Sequence, residues 1–308
     1  MEDRALDLAG IFPPIPTPFD PQGELAVEAL RANFAHWNRS ALRGYVLLGS
    51  NGEAVHLTED EKLRLLEAAR AEIPEDRLFI AGTGCQSTRA TIALTRKAAA
   101  LGADAALVLT PSYYRGRMTA AALRAHYDRI ADASSIPIIL YNMPACTGID
   151  LTAETVVSLA EHPNVIGIKD SGGNLVKFGE ILHRSEASFQ LLAGSADFLL
   201  PALALGAVGG VLALANIAPD LCLQIYESAQ EGDWDDARAT QLRIIPLNGA
   251  VTRRWGVAAL KAAMDRIGLC GGSTREPLLP LDRDTLDALR AILTATGIET
   301  VDSEGATR

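Results

Sequence analysis

Eight times over the first 232 residues, a short apolar run gives way to a polar loop and then to an amphipathic segment. The runs are Ile11–Ile15, Tyr45–Leu48, Leu78–Ala81, Ala105–Leu109, Ile136–Tyr141, Val165–Lys169, Gln190–Ala193 and Gly209–Leu212. Most are near-continuously apolar, as parallel strands buried on both faces must be. Helix start signals stand between them. Thr58-Glu59-Asp60-Glu61 reads as a capping box, and Ser87, Thr119 and Thr152 precede Ala/Leu-rich segments as N-caps. Gly102 stands where a glycine closing a helix belongs. Strands alternating with helices call for parallel crossover units. Eight units without a dinucleotide fingerprint favour an α/β chain closed into a (β/α)8 TIM barrel, with an open doubly wound sheet as the alternative.

After about Gly232 the rhythm stops. Trp234–Ile245, Arg254–Ile267 and Asp282–Ala295 read as helices with no strands between them. The expected organisation is a catalytic barrel over residues 1–232 and a C-terminal helical region over 233–308, frayed from about Val301 onward. Asp282-Arg283-Asp284 reads as a solvated helix start rather than a metal pair. Phe198–Ala215 is 18 residues without a charge, long enough to raise the question of a membrane span. Pro201, Gly206, Gly209 and Gly210 break it, so a buried helix ending at Gly206 followed by a buried strand is the better reading.

Composition narrows the function. Lys and Arg number 28 against 38 Asp and Glu, a net charge of −10, which argues against nucleic acid or an anionic membrane as the main partner. Cys85, Cys146, Cys222 and Cys270 form no C-x-x-C pair, and no secretory or transit pattern opens the chain, so free thiols in the cytoplasm are expected. His36, His56, His126, His162 and His183 show neither H-x-H nor H-E-x-x-H spacing, and no metal is expected. Phosphate-loop and nucleophile-elbow motifs are missing too. Gly209-Gly210 lies before or within the eighth strand, the wrong end for a barrel phosphate site.

Val165-Ile166-Gly167-Ile168-Lys169-Asp170 is the most informative segment. A strand of small and apolar residues ends in lysine, and barrel active sites lie at the C-terminal ends of strands. An amine walled by apolar groups loses hydration, which favours the neutral form that attacks a ketone to make a Schiff base. Alternation puts Lys169 on the side of Gly167 and Val165, with the glycine leaving room for a substrate. Taken alone, the segment is also compatible with a hydrated lysine that only marks the strand end. Tyr141 ends the preceding strand, 28 residues upstream, about one strand-helix-strand unit. Neighbouring strands lie about 4.8 Å apart, so the two side chains can meet over the barrel mouth, where a phenol can relay protons. The alternative is a tyrosine plugging the barrel top. Gly49-Ser50-Asn51-Gly52-Glu53 follows strand two, where Ser50, Asn51 and exposed amides could hold a carboxylate or form an ordinary turn. Tyr113 and Tyr114 occupy a loop tip after strand four, a place usual for packing or interface residues.

With these segments in hand, the chain resembles the dihydrodipicolinate synthase / N-acetylneuraminate lyase family of pyruvate-dependent class I aldolases. The motifs are Gly49–Glu53, Thr110–Tyr113, Tyr141–Gly148 and Gly167–Ser171. The resemblance implies a TIM barrel with C-terminal helices, assembled as a homotetramer of two tight dimers, acting on a small keto acid without a cofactor. It implies Lys169 as the Schiff-base lysine and Tyr141 as the proton-relaying phenol. It implies Ser50 as a hydroxyl linking two tyrosines, and Tyr113 as the second of them, reaching into a neighbouring subunit. Ser50, Asn51, Ser171, Gly210 and Val211 are the implied substrate-binding positions. Within the family, Gly49–Glu53, Gly102–Met118, Lys169–Gly173, Gly194–Asn216 and Ala250–Gly256 look most like 4-hydroxy-2-oxoglutarate aldolase. Dihydrodipicolinate synthases carry an arginine before the T-G of the Tyr141–Gly148 segment. Here that position is Cys146, and a thiol cannot make the bidentate contact of a guanidinium. The synthase remains the alternative. Candidates for holding a distal carboxylate are Asn51, Ser171 and Arg115.

Overall fold

A computed structural model describes residues 6–301. Eight parallel strands form one sheet: β1 Gly10–Phe12, β2 Gly44–Leu47, β3 Leu78–Gly82, β4 Ala105–Leu109, β5 Ile138–Asn142, β6 Val165–Asp170, β7 Gln190–Ala193 and β8 Gly209–Val211. Their order is β1-β8-β7-β6-β5-β4-β3-β2. Closure runs through the segment after β1. The Val46 N–H donates to Pro13 O at 3.1 Å, and the Ile15 N–H donates to Val46 O at 2.8 Å. Strand one is therefore shorter than its apolar run, because Pro13 and Pro14 have no N–H to give a ladder. The architecture is the TIM barrel, not the open sheet.

Two apolar layers follow from the alternation of side chains. Phe12, Val46, Ile80, Leu107, Ile139, Leu192 and Val211 fill the barrel interior. A larger cluster, including Phe34, Trp37, Phe79, Ile130, Phe178 and Ile225, lies between the strands and the surrounding helices. The expected caps form. Thr58 accepts from the Glu61 N–H while Glu61 reaches back to the Thr58 N–H. Ser87, Thr119 and Thr152 each accept from the amide three residues on. Gly102 takes φ +86°, the left-handed turn that only glycine makes freely.

The uncharged stretch resolves into helix Leu199–Leu205, a left-handed cap at Gly206 (φ +111°) and strand β8. No helix among the described residues is long and apolar enough to cross a membrane. The C-terminal region contains helices Trp234–Gly249, Gly256–Arg266 and Arg283–Thr296, with Asp282 capping the last. Between the first two lies a single π-helical turn, Ala250–Arg254, which the sequence rhythm did not announce. The fraying expected near the C-terminus falls mainly on residues 302–308, outside the described residues.

Candidate active site

Strand register brings the two expected reacting groups together. Tyr141 of β5 pairs with Lys169 of β6. Both are buried, 4% and 3% exposed, at the C-terminal end of the barrel. The Lys169 amine lies over the Tyr141 ring, 4.1 Å from its centroid. No carboxylate among the described residues forms an ion pair with it, and the ring face is its neighbour. The Tyr141 hydroxyl is 3.3 Å from Ser50 Oγ, a hydroxyl pair in which either can donate.

These groups open into a cavity of about 780 Å³. Ser50 and Asn51 line it from the loop after β2, Lys169 and Ser171 from the end of β6, and Cys146 from the short helix Pro144–Thr147. Gly194, Ser195 and Asp197 contribute from the loop after β7. Ser171 also donates to Gly194 O at 3.4 Å. Tyr113 lies elsewhere in the chain's own fold. Its ring packs edge-on to Tyr114 at 4.9 Å, 79% exposed, and does not line the cavity. Gly210 and Val211 are buried in β8, Val211 within the barrel interior, and they too are outside the cavity lining. Arg115 is likewise outside it. Partial desolvation raises the Cys146 thiol above its usual range, and the nearby Lys169 opposes it. The four cysteines are unpaired. No group of three or more His, Cys, Asp or Glu side chains among the described residues is arranged to hold a metal ion.

The Ser50 loop is held under backbone strain. Leu48 and Glu53 take φ of 57° and 51°, a region non-glycine residues avoid. The strain is offset by buried bonds. Thr17 Oγ1 donates to Gly52 O at 2.7 Å, and Lys261 Nζ meets Glu53 Oε1 at 2.5 Å with both side chains 1% exposed. The Arg275 N–H donates to Glu53 Oε2 at 3.0 Å. Desolvation lowers the Lys261 amine, and the hydrogen bond and charge of Glu53 oppose it. Behind β6, Asp170 is fully buried. It accepts from Asn142 Nδ2 at 2.8 Å and the Gly172 N–H at 2.7 Å, and pairs with Lys177 at 2.8 Å. That network fixes the strand end next to Lys169.

The dihydrodipicolinate synthetase family matches residues 7–296. The chain belongs to this family. A 4-hydroxy-tetrahydrodipicolinate synthase of Methanothrix thermoacetophila is 35% identical over 288 residues, 92% of this chain and 96% of that protein. A probable mitochondrial 4-hydroxy-2-oxoglutarate aldolase of Emericella nidulans is 35% identical over 295 residues, 94% and 95% of the two chains. The crystal structure of dihydrodipicolinate synthase from Aquifex aeolicus superposes with a TM-score of 0.91 at 29% identity, covering 96% of this chain and all of that one. Relatives of two activities thus stand at equal identity, and the site itself must carry the finer distinction.

Two parts of that site belong to segments quoted in the sequence but given no role there. The π-helical turn sends Val251, Thr252 and Arg253 to the cavity wall, where Arg253 Nε donates to Asp197 Oδ2 at 2.8 Å. A T-R-R-W-G string carries no recognisable chemistry of its own, and nothing in the helical periodicity announces a π turn. The second is the Glu53–Lys261 pair. Glu53 closed a quoted motif, but its partner lies more than 200 residues away, beyond the reach of spacing arguments.

Proposed function

We propose that the protein is a class I carbon–carbon lyase that cleaves 4-hydroxy-2-oxoglutarate reversibly to pyruvate and glyoxylate. The observation that carries the reading is the Lys169–Tyr141–Ser50 array, with the amine 4.1 Å from the ring centroid and the phenol 3.3 Å from the serine. Lys169 attacks the 2-keto carbon and expels water, giving an iminium. The iminium takes up the electron pair of the C3–C4 bond as Tyr141 accepts the proton of the C4 hydroxyl. Glyoxylate leaves, and the remaining enamine is protonated at C3 and hydrolysed to pyruvate. The chemistry calls for neither metal nor organic cofactor. Ser50 and Asn51 would receive the pyruvoyl carboxylate, with Ser171 beside it.

Borohydride reduction in the presence of pyruvate should add a reduced pyruvyl group to Lys169; an unmodified Lys169 by peptide mass would remove the Schiff-base mechanism. Steady-state release of glyoxylate from racemic 4-hydroxy-2-oxoglutarate then tests the substrate.

A second reading is 4-hydroxy-tetrahydrodipicolinate synthase, favoured by the Methanothrix relative. Cys146 in the position of the synthase's arginine weighs against it. Offering pyruvate with glyoxylate, aspartate semialdehyde or a mannosamine separates these and sugar-acid activities. Pyruvate binding without turnover of any aldol would instead point to a keto-acid sensor. The proposal includes a homotetramer in the cytoplasm in which Tyr113 of one subunit completes a neighbour's site. The 79% exposure of Tyr113 in the single chain supports that role. A monomer in sedimentation that is fully active would dismiss it.

A further inference from the structure

The substrate just proposed, on which this inference rests, carries a carboxylate at each end. Its 2-oxo end is held by the bond to Lys169. The far carboxylate is best matched by a cation, which can pair with it through charge-assisted hydrogen bonds. Cys146 brings no positive charge, and Asn51 and Ser171, beside the pyruvoyl carboxylate, offer only neutral hydrogen-bond groups. Among the described residues lining the cavity, the basic side chains are Lys169, which the imine uses, and Arg253.

Arg253 is arranged to receive an anion. Its Nε is fixed on Asp197 Oδ2 at 2.8 Å, and no other hydrogen bond engages its guanidinium among the described residues. The side chain is 71% exposed, so the terminal nitrogens are open. A guanidinium held through one nitrogen and open at its end offers the planar fork that matches a carboxylate. The holding group is itself anchored. Gln241 Nε2 donates to Ala196 O at 2.8 Å and Asp197 O at 3.3 Å, and Asn248 Nδ2 donates to Ser195 Oγ at 3.0 Å. The backbone under Arg253 is the π-helical turn, a local irregularity that concentrates at functional sites.

We propose that Arg253 is a specificity residue of this enzyme and receives the distal carboxylate of a dicarboxylic 2-oxo acid. Asp197 acts as its positioning residue, and the cavity thereby selects substrates with an anion at both ends over those ending in a methyl or hydroxymethyl group.

The test uses ligands that form the imine but carry no C4 hydroxyl to permit cleavage. Lys169 is trapped by borohydride with graded 2-oxoglutarate or 2-oxopentanoate, which differ by a carboxylate in place of a methyl. The half-saturating concentrations are read by peptide mass. The wild type should favour 2-oxoglutarate by roughly tenfold, the scale of one partly screened charged hydrogen bond. Arg253→Ala should bring the ratio near one by weakening 2-oxoglutarate, and Arg253→Lys should restore part of it. Raising the salt concentration should shrink the wild-type preference and leave the Arg253→Ala ratio where it is. A wild-type ratio near one, or a preference that survives Arg253→Ala, overturns the proposal. Failure to trap pyruvate on the wild type would instead overturn the aldolase reading. Trapping of pyruvate without discrimination between the two longer acids sinks the role of Arg253 alone.

Discussion

In the proposed mechanism a single contact, between Lys169 and Tyr141, serves the chemistry. The amine is nearly sealed from water and faces a phenol ring instead of a carboxylate. No carboxylate among the described residues pairs with it, and the contact with the ring is the kind worth about 0.5–2 kcal/mol to a cation. The same phenol lies within hydrogen-bond distance of Ser50, which under the proposed mechanism gives its proton a partner when the substrate hydroxyl gives one up. Tyr141→Phe should keep the ring under the amine and lose that proton site. Cleavage should then fall by roughly 10²-fold or more while pyruvate is still trapped on the lysine. Turnover at the wild-type rate in this variant would take the acid–base role away from Tyr141. This pair was legible in the sequence because both residues end apolar runs one crossover unit apart. Arg253 was not, because its position depends on a turn with no periodic signal.

At the scale of elements, the start of β6 departs from simple alternation, and the departure changes the meaning of Gly167. Ile138 pairs with Val165, yet Ile139 pairs with Gly167, so Ile166 is an extra residue in the ladder. Val165 consequently joins the outer layer, while Ile166 packs toward the barrel interior. The expectation that Val165 shares the side of Lys169 is thus overturned by a β-bulge. Nor does Gly167 serve chiefly to make room for substrate. A Cβ there would stand 2.3 Å from Gln190 O, a backbone atom of the adjoining strand. Gly167→Ala should destabilise the fold by about 1–3 kcal/mol through overpacking and disturb the lysine two residues on. Urea unfolding of the variant measures the first effect and pyruvate trapping the second. The Ser50 loop depends on the buried Glu53–Lys261 pair in a comparable way. Lys261→Met should destabilise by about 3–5 kcal/mol by leaving Glu53 without its cation, and Glu53→Gln in the same chain should recover much of that. If the double variant is as unstable as the sum of the singles, the pair is not the reason for the loop's shape.

Across the whole molecule, the barrel does not form the cavity alone. Helices beyond the eighth strand supply Val251, Arg253 and Val257 to its wall, while Lys261 and Arg275 anchor its loops. A division into a catalytic barrel and a C-terminal region therefore describes the rhythm of the sequence better than the division of labour. Strand count, barrel closure and caps could all be read because local chemistry dictates them. Contacts between the C-terminal region and the barrel could not, because they join residues remote in sequence. Glu61 is one such tie. Its carboxylate caps its own helix and binds both terminal nitrogens of Arg275, at 2.7 and 3.0 Å. Those bonds hold it down to about 2. The barrel helix Ala120–Ala133 contains a group of the opposite kind, His126, which burial holds down to about 4. The signs set two acid windows. Between about pH 6.5 and 4 the unfolded chain takes up a proton on His126 that the folded chain refuses, so stability falls as pH falls, by up to about 3 kcal/mol. Between about 4.5 and 2 the unfolded chain protonates Glu61 while the folded chain keeps it ionised, so its contribution is lost there. Urea midpoints should decline in two stages below neutrality. His126→Gln should flatten the upper stage and leave the lower one, because Glu61 and its arginine are untouched. Glu61→Gln should remove the lower stage, and with it the strongest ionic tie between Arg275 and the barrel. If His126→Gln leaves the slope between pH 6.5 and 4 unchanged, the acid sensitivity belongs to other groups and His126 is already as easily protonated folded as unfolded.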